Sequence, residues 1–163
     1  MVPTRKTNAF SLVELVIVVI IIGVIAAIAV PRISRGAKGA GDSSLRGSLA
    51  GLRNAIDMYA AEHGGTFPAT TQAEIVDRLT KMTSAAGQVG TTAGTHIFGP
   101  YLRGGLPALP VGANKGSRDL LIVSGAPAVL EAGGEGWVYS TGTGEIIANS
   151  VAKDEAGVNY STY

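Results

Sequence analysis

The sequence contains no cysteine, which excludes disulfides, thiolate metal sites and thiol nucleophiles. Charged residues make up only 15% of its 163 residues and leave a formal net charge of +1, so a nucleic acid or an anionic surface could be bound only through a local basic patch, and no nucleic-acid partner is predicted. The motifs of common catalytic families are missing as well, and His63 and His96 stand far apart without metal-ligand spacing around them. The sequence therefore predicts a protein that is not an enzyme and needs no cofactor or metal.

The sequence contains one long apolar run near its start. From Phe10 to Val30 only Ser11 and Glu14 are polar. A helix over these residues would extend roughly 31 Å at about 1.5 Å per residue, close to the roughly 30 Å hydrocarbon core of a bilayer. Basic residues flank the run on both sides, so the positive-inside rule does not orient it. We expect a membrane-spanning helix.

Two ordinary explanations of this run leave its glutamate unexplained. A secretory signal peptide fits the basic residues before the run and the small residues Ala27-Ile28-Ala29, although Pro31 crowds a cut after Ala29. An uncleaved signal anchor fits the length. A carboxylate costs about 2.5 to 3.5 kcal/mol at the centre of a span and less near its end. Glu14 therefore either snorkels to water at the interface or has a partner.

The stretch from Ala9 to Arg32, AFSLVELVIVVIIIGVIAAIAVPR, resembles the amino terminus of type IV pilins and of the related pseudopilins of type II secretion systems. In that family a basic leader is cut immediately before a phenylalanine, which is then N-methylated, and the fifth mature residue is glutamate. The resemblance places the cut between Ala9 and Phe10 and puts Glu14 at the glutamate position. Gly23 and Pro31 match the family's helix glycine and following proline. The family nearly always has glycine before the cut, and alanine is the next smallest residue.

The resemblance also implies partners and a location. It implies cleavage by a prepilin peptidase, contact with membrane lipid before assembly, and an inner-membrane assembly platform. The single-pass chain would carry a periplasmic head and self-associate into a helical filament in the periplasm or at the cell surface. An α-amino group has an ordinary pKa of about 8, so the new terminus at Phe10 would be largely positive at neutral pH. Glu14 of a neighbouring subunit would neutralise it.

Beyond the span, glycines at positions 36, 39 and 41 weaken a helix by about 1 kcal/mol each relative to alanine, so we expect flexibility there. Apolar residues then recur at helical spacing, which predicts an amphipathic helix that stops at His63-Gly64-Gly65. The stripe consists of Leu45, Leu49, Leu52, Ile56 and Tyr59.

The remaining residues predict a small head. Thr71 and Glu74 form a capping-box pattern that opens a short helix, with Ile75, Leu79 and Met82 on one face. A loop follows from Ser84 to Thr95, and then an irregular segment, IFGPYLRGGLPALPVG. Strands are expected at Asp119–Ser124 and on both sides of the turn Thr141–Gly144, with Trp137 in the core.

Two phrases of this head, GPYL and GWVY, resemble the major pseudopilins, which often hold calcium in a loop dense in Asp and Asn. The loop Gly125–Glu135 offers only Glu131 and Glu135, with Asn114 and Asp119 as further candidates, so a calcium site is disfavoured.

Together these features predict an α+β fold, in which a long N-terminal helix with a transmembrane and an amphipathic half packs on a small antiparallel sheet, as in pilins. The expected divisions are a leader at 1–9, an assembly helix at 10–31, an amphipathic helix at 32–64 and a head at 65–163. The function expected from the resemblance is that of a structural filament subunit, with a type II secretion pseudopilin favoured. The alternatives are a surface pilin for adhesion, motility or DNA uptake, and a secreted or anchored binding domain that does not polymerise.

Overall fold

The computed structural model describes residues 10–163, except the side chains of Pro31, Ser34 and Arg35. Its elements are helices α1 (Leu12–Glu62) and α2 (Gln72–Thr80), strands β1 (Thr83–Ser84), β2 (His96–Phe98), β3 (Leu120–Val123), β4 (Trp137–Ser140) and β5 (Ile146–Ala148), and a final 3-10 turn (Tyr160–Thr162). The described residues divide into two units, one that ends at Ala37 and one from Lys38 to Tyr163. The predicted α+β class is confirmed.

The second half of α1 is amphipathic as predicted. All five residues of the stripe are at most 2% exposed and form the centre of the core of the head. The helix ends at Glu62, where Gly64 and Gly65 take positive φ angles of 65° and 82°. The Gly65 N–H donates to the Ala60 carbonyl at 2.8 Å, which is the bond of a glycine helix stop. The segment that contains glycines 36, 39 and 41 is helical here, and its flexibility stays a prediction.

Helix α2 begins with the predicted capping box. Thr71 Oγ1 accepts from the Glu74 N–H at 3.4 Å, and Glu74 Oε2 accepts from the Thr71 N–H at 3.3 Å. Ile75 and Leu79 are buried against the core, as expected. Met82 was expected on the same face, but the helix ends at Thr80 and Met82 is 38% exposed. The extended backbone of Lys81 turns the chain toward β1 before Met82 could join the helix.

The main sheet has the order β3-β4-β5 and is mixed. Strands β4 and β5 pair antiparallel around the predicted turn, with Gly144 N–H donating to Ser140 O at 2.9 Å. Strand β3 pairs parallel to β4, with Leu120 opposite Trp137, where the sequence had predicted an antiparallel sheet throughout. A parallel pair needs a connection of about a dozen residues or more, and the chain between Val123 and Trp137 is long enough to cross over.

A second, two-stranded sheet pairs β1 with β2 in antiparallel fashion. The sequence predicted loop and irregular chain around these positions, because strands of two and three residues are too short to show alternation.

Trp137 is completely buried, which confirms its predicted place in the core. Its indole N–H donates to Pro107 O at 2.9 Å. Tyr139 lies two residues further along β4 and is 1% exposed, and its hydroxyl donates to Pro68 O at 2.9 Å. Burial raises the pKa of this hydroxyl, so it stays a hydrogen-bond donor. Both polar atoms are thus satisfied inside an apolar core.

Candidate functional site at the start of the first helix

The predicted cleavage junction lies at the edge of the described residues. Ala9 falls outside them, so its role in processing stays a prediction. Phe10 is the first residue described; it precedes α1 and its side chain is 81% exposed. The residue expected to become the new amino terminus therefore stands just before the helix.

Helix α1 begins with a cap that the sequence analysis did not identify. Ser11 Oγ accepts a hydrogen bond from the Val13 N–H at 3.3 Å, and the Ser11 carbonyl accepts from the Leu15 N–H at 3.2 Å. These two bonds make Ser11 the N-cap. The signal was present in the sequence, because Ser11 and Glu14 have the same spacing as Thr71 and Glu74, which open α2.

Glu14 lies in the first turn of α1, three residues after the cap. The unpaired N–H groups of a helix start carry a partial positive charge, which favours a carboxylate at this position. A positive amine at Phe10 would stand beside the same positive end and would be stabilised by a carboxylate partner. If the predicted cut is made, the start of α1 would carry both groups that the predicted pairing requires, and that pairing stays a prediction.

Within residues 10–163, the apolar part of α1 is exposed along its length. Leu12–Val30 has a mean hydropathy of 3.2 and none of it is buried, which by length and composition suits a membrane span. Its large side chains are exposed, from 42% at Val16 to 78% at Leu12. A Cβ added at Gly23 would meet no atom within 4 Å. Apolar surface of this extent marks a segment that is covered by lipid or by other protein.

Pro31, the last predicted assembly residue, lies within the helical range of α1. The predicted assembly residues are thus brought together on one helix, with Phe10 immediately before it. Their roles in assembly remain predictions.

Within residues 10–163, no three His, Asp or Glu side chains are arranged to hold a metal ion. His63 directly follows α1, as expected, and its ring packs in the head. Its Nδ1 lies 2.7 Å from Tyr59 O and its Nε2 lies 3.0 Å from Ser84 O, and the ring stacks on Tyr59 with centroids 3.9 Å apart. His96 lies on β2. The structure therefore gives His63 a packing role.

Side-chain amides hold the loop between β3 and β4. Asn114 Nδ2 donates to Glu135 O at 2.8 Å and to Glu131 O at 3.3 Å. Asn149, which sequence reasoning missed, accepts from the Glu131 N–H at 2.9 Å and donates to Glu135 O at 2.9 Å. Asp119 instead accepts from Gln72 Nε2 at 3.0 Å. Three of the four residues considered for calcium therefore lie close together: Asn114, Glu131 and Glu135. The side-chain amides of Asn114 and Asn149 both donate to the backbone carbonyl of Glu135.

Comparison with known proteins gives one match, at the start of the chain. Residues 4–30 match the family model described as the prokaryotic N-terminal methylation motif. The match includes the predicted cut, Glu14 and Gly23, and it ends one residue before Pro31. No match was found among curated proteins or solved structures. The resemblance seen in the sequence is therefore confirmed for this segment, whereas the likeness of the head to pseudopilins stays a prediction.

Proposed function

We propose that this chain, whose residues 4–30 carry the N-terminal methylation motif of type IV pilin-like proteins, is a structural subunit of a filament assembled from the inner membrane. The observation that carries the proposal is the uncovered apolar segment Leu12–Val30, which begins with a carboxylate in its first turn. A simple anchor needs the apolar length alone. A filament subunit needs both the length and the carboxylate.

The proposed mechanism has two stages. Lipid first covers the apolar side chains while the head stands in the periplasm, and a prepilin peptidase cuts the inserted chain between Ala9 and Phe10. Assembly replaces lipid by the helices of neighbouring subunits. Glu14 of an incoming subunit meets the amine of a neighbour's Phe10, so that two charges that are costly in an apolar surrounding neutralise each other. Because the pair forms at one relative position of two helices, it sets their register.

We further propose that the filament belongs to a type II secretion system. The phrase GPYL and the segment that begins with Trp137 support this assignment by their resemblance to pseudopilins, as does the absence of the cysteine pair found in many surface pilins. Loss of protein secretion on deletion would support it. Loss of adhesion, motility or DNA uptake with normal secretion would indicate a surface pilin instead.

Expression of the full chain with an active prepilin peptidase tests the filament itself. We expect filaments in the sheared fraction and in electron micrographs, and none when the peptidase is inactive. The variant Ala9→Gly, which restores the family's usual residue, is the matched control and should form filaments at least as well. Cleaved chains of both sequences that remain unassembled in the membrane beside a working platform would contradict the proposal and favour an anchored binding domain.

A further inference from the structure

The C-terminal segment, on which the sequence was silent, packs against α1. Tyr160 hydroxyl donates to Asp42 Oδ1 at 2.6 Å, and the two residues are only 2% and 7% exposed. A buried carboxylate needs such a partner, because water cannot reach it. Burial and the bond to Asp42 raise the pKa of Tyr160, which keeps its hydroxyl protonated as a donor.

One helical turn after Asp42, Arg46 contacts the end of the same segment. Its guanidinium lies 4.6 Å from the ring centroid of Tyr163 and 2.9 Å from the Tyr163 hydroxyl. Tyr163 in turn donates to Asp154 Oδ2 at 2.5 Å, and Arg46 lies 3.6 Å from that same oxygen. The Tyr163 bond, together with the Val158 N–H, lowers the pKa of Asp154. Each of the three side chains Arg46, Asp154 and Tyr163 therefore contacts the other two.

A third contact lies about two turns further along α1. Arg53 Nη2 donates to Tyr163 O at 2.5 Å and to Ile146 O at 3.2 Å, so it links the C-terminal segment with β5. The segment therefore holds α1 from Asp42 to Arg53, a length of about 16 Å at 1.5 Å per residue. We name this set of contacts the tail latch; its residues are Asp42, Arg46, Arg53, Asp154, Tyr160 and Tyr163.

The helix immediately before the tail latch has little support. A Cβ added at Gly36 or Gly39 would meet no atom within 4 Å, whereas one at Gly41 would lie 3.1 Å from Val111 Cγ1. Of these three glycines, Gly41 is the one whose added Cβ would contact a side chain of the head. Ser43 Oγ also donates to Gly39 O at 3.0 Å, a side-chain bond that competes with the helix's own hydrogen bonds. Since glycine weakens a helix, the least supported part of this region ends where the tail latch begins.

We propose that the tail latch makes Asp42 the N-terminal limit of the rigid part of α1. The backbone of 36–41 then opens readily while Asp42–Glu62 stays helical. The tail latch thus confines opening of the helix to residues that precede the head.

Hydrogen–deuterium exchange of the full chain in detergent micelles tests this directly. In the wild type we expect fast exchange in peptides covering 36–41 and slow exchange from Leu45 onward. Tyr160→Phe removes one hydroxyl and keeps the ring, and it should accelerate exchange at 42–46 about tenfold or more while leaving 52–60 unchanged. Arg46→Met keeps most of the side-chain stem and should accelerate exchange in the same peptides.

Tyr139→Phe is the matched control, because it removes another buried hydroxyl, the one that donates to Pro68 O. It should leave exchange at 42–46 unchanged. Equal acceleration across the whole head in both Tyr→Phe variants would overturn the proposal, and so would uniform protection of 36–50 in the wild type. The readout does not depend on assembly, so a wild-type chain without filaments would contradict the proposed function and leave the exchange result in place.

Discussion

Replacement of Glu14 by alanine is expected to abolish filaments while the chain stays in the membrane. Loss of the carboxylate lowers the cost of insertion, so membrane levels should be equal or higher. In the filament, however, the amine of a neighbour's Phe10 would be buried without its partner. Removing one member of a buried ion pair costs about 3–5 kcal/mol, which weakens each subunit contact about a hundredfold or more.

Two further variants separate charge from shape at this position. Glu14→Gln keeps a side-chain oxygen that can accept a hydrogen bond at the start of the helix, but it loses the charge. Filament assembly should therefore fail nearly as completely as in Glu14→Ala. Glu155→Ala removes an exposed carboxylate from the head and should assemble normally. Shear fractionation and electron microscopy, at matched membrane levels, give the result. Normal filaments from Glu14→Ala would mean that the glutamate merely snorkels to water, and the pairing would be wrong.

Replacement of Trp137 by alanine is expected to have the largest effect on the stability of the head. The side chain is wholly buried on the central strand of the main sheet, so its removal leaves a large cavity and an unpaired Pro107 carbonyl. Such a change lowers the free energy of unfolding by about 3–5 kcal/mol. Small domains are stable by only about 5–15 kcal/mol, so a substantial fraction of the molecules would unfold under mild denaturation.

Pulse proteolysis of the full chain in detergent across a urea gradient measures this loss. Trp137→Phe fills most of the cavity and loses mainly the hydrogen bond, so it should cost much less than the alanine variant. A midpoint for Trp137→Ala within error of the wild type would show that the sheet does not depend on this side chain.

Local patterns in the sequence predicted the parts of the fold that depend on neighbouring residues. The apolar run, the stripe from Leu45 to Tyr59 and the stop at Gly64 all follow from helical periodicity and glycine conformation. The capping box of α2 follows from the spacing of Thr71 and Glu74. Ser11 and Glu14 have the same spacing, so the cap of α1 is also a feature that the sequence can predict.

Contacts between residues that are far apart in the sequence could not be predicted from such local patterns. The parallel pairing of β3 with β4 depends on the path of a glycine-rich crossover, which has no periodic signal. The bond between Asp42 and Tyr160 joins residues 118 positions apart, and neither residue belongs to a recognisable motif. Such pairs are specified by the assembled core, so only the structure shows them.

The central claim is that this chain is cut before Phe10 and uses its new terminus for assembly. Mass spectrometry of the protein purified from its membrane fraction tests it most directly. We predict an intact mass and an N-terminal peptide that begin at Phe10, with a methyl group on the α-amine. A chain that begins at Val30 would establish removal of an ordinary signal peptide, and a chain that still carries Arg5 and Lys6 would establish an uncleaved anchor; either result would contradict the account.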